Sequence, residues 1–289
     1  MRPVRDVSKP MALLNLLLDL VALVLFLSGL GVGTRMPAHR AGTLLSNLKL
    51  AESTRGRRWP LFVALVALLL LRPWFYSTVA EVSGWVPAWD PVPATVPFRP
   101  DFPTRLLAFS LVSFAWTLLQ FLAWILFAAA LARATREPSA WNRFFHEMLG
   151  PLSRIPAVLM ILLPPIAGAL FWMAIAPVFQ SLEILPPIRS WEHLALQAGL
   201  VGLGVWVTGG WMLCGLLLLR LINTYVYLGT HPFWDFIHQV GGAVLRPVEW
   251  IPARIGKLDL TALVVAAIVA VAARAAEQGL THLYLNLRP

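Results

Sequence analysis

The residues of this chain that could do chemistry are few, and they are widely spaced. His146 and His238 each follow a Phe by two positions, in WNRFFHEMLGPLSRIP at 141–156 and FWDFIHQVGGAVLRPVEW at 233–250. Two such imidazoles could ligate a haem or a metal ion from facing halves. The ordinary reading has each ring anchoring its segment among lipid headgroups. Asn15 and Asp19 lie one helical turn apart on one face of an apolar run. Asp19 is about eight residues into that run, ~12 Å deep at ~1.5 Å per residue. A carboxylate at that depth is costly and calls for a named partner. Arg72 lies about seven residues from the far end of the next run, at similar depth in an antiparallel hairpin. An Asp19–Arg72 ion pair is therefore expected. The alternatives are that Arg72 snorkels to the interface beside Trp74 and Tyr76, or that the two serve an ion or proton path. Gln120 sits mid-run in a third stretch and is expected to bond to a neighbouring helix. The chain has no Gly-rich phosphate loop, HExxH, GxSxG or carboxylate cluster, so neither catalysis nor a cofactor is expected. Its one cysteine, Cys214, lies in an apolar run, which excludes a disulfide framework and a CxxC metal site.

The elements that must position these residues are apolar helices. Of 289 residues 58% are hydrophobic and 13% charged, with a mean hydropathy of +0.73. A soluble domain of this size would expose far more charge. A helix needs ~20 apolar residues to span the hydrocarbon, and six runs qualify: 11–33, 59–80, 105–132, 157–181, 196–221 and 260–283. The expected fold is an all-α polytopic membrane protein. Its net charge of +9 does not indicate nucleic acid, because the basic residues gather in alternate loops. Loop 35–58 holds Arg35, Arg40, Lys49, Arg55, Arg57 and Arg58 against Glu52, and loops 133–156 and 220–259 are also net basic. The positive-inside rule places these loops in the cytoplasm and both termini outside. Arg2, Arg5 and Lys9 oppose that placement of the first segment.

Several connecting stretches carry their own signals. Residues 34–58 read as a short basic amphipathic helix on an anionic lipid surface. Residues 81–103 contain six prolines and suggest an extended outer loop packed by Trp85, Trp89 and Phe98. Pro164-Pro165 implies a kink in the fourth run, with a broken, site-lining helix as the alternative. Gly202, Gly204, Gly209, Gly210 and Gly215 in the fifth run, and Ala262, Ala266 and Ala270 in the sixth, form small-residue faces suited to close helix approach. Arg274 and Glu277, three residues apart, could pair near the far interface.

The chain also repeats itself. Shifted by 92 residues, Phe144, His146 and Gly150 fall on Phe236, His238 and Gly242. Arg154 and Pro156 correspond to Arg246 and Pro252 when a few residues are inserted in the second copy. Each copy follows one span and precedes another, which implies tandem span–amphipathic–span units. In the second copy, Pro247 and Pro252 stop helix continuation, and Arg246 and Arg254 can reach lipid phosphates. Gly256 permits a turn, and Asp259 is placed to N-cap the last span.

The stretch LRPVEWIPARIGKLDLTAL at 245–263 resembles the signature of the YggT family of bacterial and plastid membrane proteins. Pro247, Ile255, Gly256, Leu258, Asp259 and Leu260 match it at the same spacing. Glu249-Trp250 stands where that family has a basic pair, Lys257 where it has a second Gly, and Thr261-Ala262 where it has Ser-Pro. The resemblance covers the last hundred residues and, more loosely, about 105–181; residues 1–103 lie outside it. It implies a hairpin with an outer loop at 1–103, a first repeat at 104–182 and a second at 183–289. It further implies a bacterial inner-membrane protein without enzymatic activity. Such a protein would be a scaffold or assembly factor for a membrane complex or for an envelope or division process, whose partners are the bilayer and another membrane protein or itself. A small-ion or osmolyte channel or transporter is the alternative.

Overall fold

A computed structural model of the chain describes residues 8–31, 58–134, 145, 148–226, 232–248, 254–255 and 258–287. Among them are six helices long and apolar enough to cross a membrane, so the protein is an all-α, multi-pass membrane protein. They are α1 (Ser8–Leu30), α2 (Trp59–Ser83), α3 (Pro103–Ala134), α4 (Ala157–Ser181), α5 (Trp191–Tyr225) and α7 (Thr261–Asn286). A shorter helix, α6 (Pro232–Leu245), has 14 residues and cannot span. Among the described residues, strand structure is limited to the two-residue pieces β1 (Ala88–Trp89), β2 (Val96–Pro97), β3 (Arg254–Ile255) and β4 (Leu258–Asp259). The spanning helices turn large apolar side chains outward, among them Leu16, Leu71, Leu170 and Val271. That would be costly in water and is ordinary in lipid.

The chain forms two compact units, Met1–Trp89 with Pro97–Leu118, and Asp90–Val96 with Leu119–Pro289. The expected boundaries at 103/104 and 182/183 do not coincide with this division, which passes through α3. The first half of α3 packs with α1 and α2, and its second half shares a core with the two motif segments.

In the first unit α1 and α2 are antiparallel. Leu30 meets Arg58, Asp19 meets Arg72 and Asn15 meets Tyr76 as the two helices run in opposite directions. Ala22, Leu65 and Leu69 form their core with Phe26 and Phe114. Arg58 donates to the Leu30 carbonyl at 3.2 Å and so satisfies the C-terminal end of α1. α2 stops at Gly84, whose left-handed backbone (φ +68°) lets its N–H return to Ala80 O at 2.8 Å. Beyond it the Pro-rich loop packs inward, as expected, with Trp85, Trp89 and Phe98 all buried. Trp85 and Phe109 each meet Tyr76 edge-on, Phe98 packs on Phe109, and Trp89 on Trp116.

In the second unit α5 packs along both α4 and α7. A Cβ at Gly168 would lie 2.7 Å from Val205, and one at Gly202 would strike the Pro165 carbonyl. On the α7 side, Leu217 packs with Ala262, Val265 and Ala266, and Gly210 faces Ala273. Gly209 admits the ring of Phe127, and Gly204 the carbonyl of Val92. The small residues expected to suit close helix approach thus meet neighbours within the chain at Gly202, Gly204, Gly209, Gly210, Ala262 and Ala266, whereas Gly215 meets nothing within 4 Å. The two motif segments meet in one core: Phe145 and Leu149 join Phe236, Ile237 and Val240 with the Ala-rich end of α3. The rings of Phe145 and Phe236 are edge-on at 5.6 Å. Each segment ends in a short 3₁₀ turn, Gly150–Arg154 in the first and Arg246–Val248 in the second.

Candidate functional site

The candidate site is a buried polar cluster in the apolar interior of the first unit. Asp19 is the twelfth of 23 residues in α1, and Arg72 the fourteenth of 25 in α2. A hydrocarbon layer covers ~20 helical residues, so any placement that crosses these helices includes both. Along the helices Asp19 lies ~16 Å from the Ser8 end of α1 and Arg72 ~16 Å from the Ser83 end of α2.

Arg72 and Asp19 are each 2% exposed. Arg72 Nη1 donates to Asp19 Oδ1 at 2.6 Å. The other carboxylate oxygen accepts from Ser113 Oγ at 2.6 Å and from Asn15 Nδ2 at 3.3 Å. Asn15 Nδ2 also reaches Ser113 Oγ at 3.0 Å, and its Oδ1 accepts from Tyr76 OH at 2.6 Å. Three helices thus contribute to one network, and both oxygens of the carboxylate are engaged. Among the described residues the guanidinium is engaged through Nη1. Its Nε and Nη2 are buried without an acceptor among the described residues.

Pro73 shapes the site from within α2. It has no N–H, so the carbonyl of Leu69 loses its helical donor. Ser110 Oγ of α3 supplies the replacement at 2.9 Å. The same device recurs in the second unit. Pro165 frees the carbonyl of Ile161, and Trp206 Nε1 of α5 donates to it at 2.8 Å. α4 runs unbroken from Ala157 to Ser181 through Pro164, Pro165 and Pro177, so the proline pair does not open a break in the helix.

The sequence reading singled out Asp19, Asn15 and Arg72, and the structure brings them together. Ser110 and Ser113 were missed, because two serines in an apolar helix carry no periodic signal. Pro73 is the clue that could have found Ser110, since it creates a carbonyl in need of a donor. Gln120 belongs to the second unit and makes no hydrogen bond among the described residues, contrary to expectation.

The remaining singled-out residues lie at the ends of spans. Arg154 and Pro156 are exposed where the first 3₁₀ turn leads into α4, with Pro156 as the N-cap. Arg133 donates to the carbonyls of Ser153 and Ile155 at this junction. Arg246 is exposed just beyond α6, and Pro247 lies within the second 3₁₀ turn. Pro252, Gly256 and His146 lie outside the described residues. Arg254 is opposite Asp259 in the β3–β4 ladder, and Ile255 opposite Leu258. Asp259 does not N-cap α7 as expected; Leu260 occupies that position. The strand pairing holds Asp259 one residue earlier, where its Oδ1 accepts from Thr261 N at 3.0 Å and Thr261 Oγ at 2.6 Å. Tyr225 OH bridges to the Asp259 backbone and ties the hairpin to the end of α5. His238 is exposed on α6. Its carbonyl accepts from Arg220 Nη1 at 3.1 Å, and the Arg220 side chain lies over Gly241 and Gly242. Among the described residues no three His, Cys, Asp or Glu side chains gather in a metal-holding cluster.

No protein-family profile, curated protein or solved structure matches the chain.

Proposed function

We propose that this is a non-enzymatic scaffold or assembly factor of a bacterial inner membrane, akin to the YggT family, and that it acts by binding other membrane proteins. The supporting observation is the closure of the Asp19 carboxylate. Side chains of α1, α2 and α3 take both of its oxygens, so it holds helices together and offers little to a passing cation. The residues shared with the YggT signature fit the same reading. Those described, such as Asp259 and Leu260, build the hairpin and helix start at which α7 begins.

The test is affinity purification from native membranes in mild detergent, with mass spectrometry of the proteins recovered. A different membrane protein at near-equal amount supports the scaffold. Recovery of this chain with no other protein would overturn it.

A second reading, a small-ion or osmolyte transporter, draws on Arg72. Two of its donor nitrogens lack an acceptor among the described residues at the middle of the membrane, which is where an anionic or carbonyl-bearing solute would be attracted. Flux into liposomes containing the pure protein, lost on Arg72→Met, would establish this reading in place of the first.

A further inference from the structure

α7 is packed on one side only. Ala262, Ala266, Ala273 and Tyr284 are buried toward the bundle, and the opposite side is exposed along the helix. That opposite side carries Val264, Ile268, Val271, Ala275, Gln278 and His282, all exposed. Their spacing alternates steps of four and three, the pattern of a left-handed helix–helix seam. Gln278 and His282 make no hydrogen bond among the described residues, and Val271 is 69% exposed.

The depth of this surface follows from α5. Wherever a stretch of ~20 residues falls within that 35-residue helix, it includes residues 206–210. Ala273 packs on Gly210, so Arg274 lies in the hydrocarbon or at its margin. Any stretch of ~20 residues within the 26-residue α7 likewise includes residues 267–280, and so Gln278. Arg274 is bound to Glu277 at 2.8 Å, yet its side chain is 63% exposed. An exposed ion pair and an exposed amide at that depth would meet lipid unless another helix covers them.

We infer that the cover is a second copy of this chain, docked α7 against α7 about a two-fold axis along the membrane normal. Copies inserted in the same orientation place each seam residue opposite its own counterpart. A glutamine amide and a neutral imidazole each carry both a donor and an acceptor. Gln278 and His282 can therefore satisfy their own copies, which an apolar partner helix could not do. Ala275, between Val271 and Gln278, lets the backbones approach. This contact goes beyond the scaffold reading and requires only that α7 lie in the membrane.

The test uses the full chain in native membranes, with Cys214→Ala removing the native thiol. Ala275→Cys and, separately, Val271→Cys are oxidised with copper phenanthroline. Leu170→Cys, exposed on α4, serves as the comparison. The seam variants are expected to give disulfide-linked dimers of this chain, and Leu170→Cys none. In lipid nanodiscs or detergent, Gln278→Leu should raise the dimer dissociation constant about tenfold, ~1.4 kcal/mol. The inference is overturned by no more dimer from both seam variants than from Leu170→Cys, with their helicity intact, or by cross-links from the seam to a different protein. An unchanged dissociation constant for Gln278→Leu would also overturn it.

Discussion

Replacing Asp19 by Ala would strand a guanidinium in the middle of the membrane. Arg72 is 2% exposed, and Asp19 Oδ1 is the acceptor for its Nη1. At ~4 Å between charge centres and an effective dielectric constant of ~20, the pair attracts by about 4 kcal/mol. Removing one partner of a buried pair costs about 3–5 kcal/mol, because the other charge stays buried and uncompensated. Asp19→Ala is therefore expected to lose ~3–5 kcal/mol, and Arg72→Ala a similar amount. The double replacement Asp19→Leu with Arg72→Met removes both charges while keeping volume, and should be far milder than the two single losses combined. The assay is reversible unfolding in mixed micelles by added dodecyl sulfate, followed by helical circular dichroism and Trp fluorescence. A double-mutant cycle on the two positions should give a coupling of ~2–3 kcal/mol. Additivity to within ~0.5 kcal/mol would refute the reasoning, since groups that stabilise one another cannot behave independently.

The same unfolding assay checks three further expectations. Ser110→Ala should cost ~1–3 kcal/mol, because the buried Leu69 carbonyl loses its donor. Adding Pro73→Ala should recover part of that loss by restoring the helical N–H. Gly204→Ala should cost ~1–3 kcal/mol through collision with the Val92 carbonyl, whereas Gly215→Ala, which meets nothing within 4 Å, should not. Asp259→Ala should cost ~1 kcal/mol by freeing the Thr261 N–H, and amide exchange at the start of α7 should accelerate.

The sequence by itself determined what depends on local composition and length. Six runs of sufficient apolar length can only be helices in lipid, because every backbone group there must be satisfied within its own segment. The Asp19–Arg72 encounter was legible for the same reason: two opposite charges at matching depth in consecutive spans have few other places to go. The inward packing of Trp85, Trp89 and Phe98 followed from aromatic side chains on a proline-rich stretch that can form neither helix nor central strand. Tertiary structure alone decided which neighbour meets which group. Ser113 completes Asp19, and Ser110 completes a carbonyl that Pro73 exposes 41 residues earlier in the chain. The glycine and alanine faces of α5 and α7 were visible as close-packing surfaces, but their occupants are Pro165, Val92, Phe127 and each other. A small residue records that something comes close and carries no mark of what, so the identity of the neighbour is a property of the assembled fold.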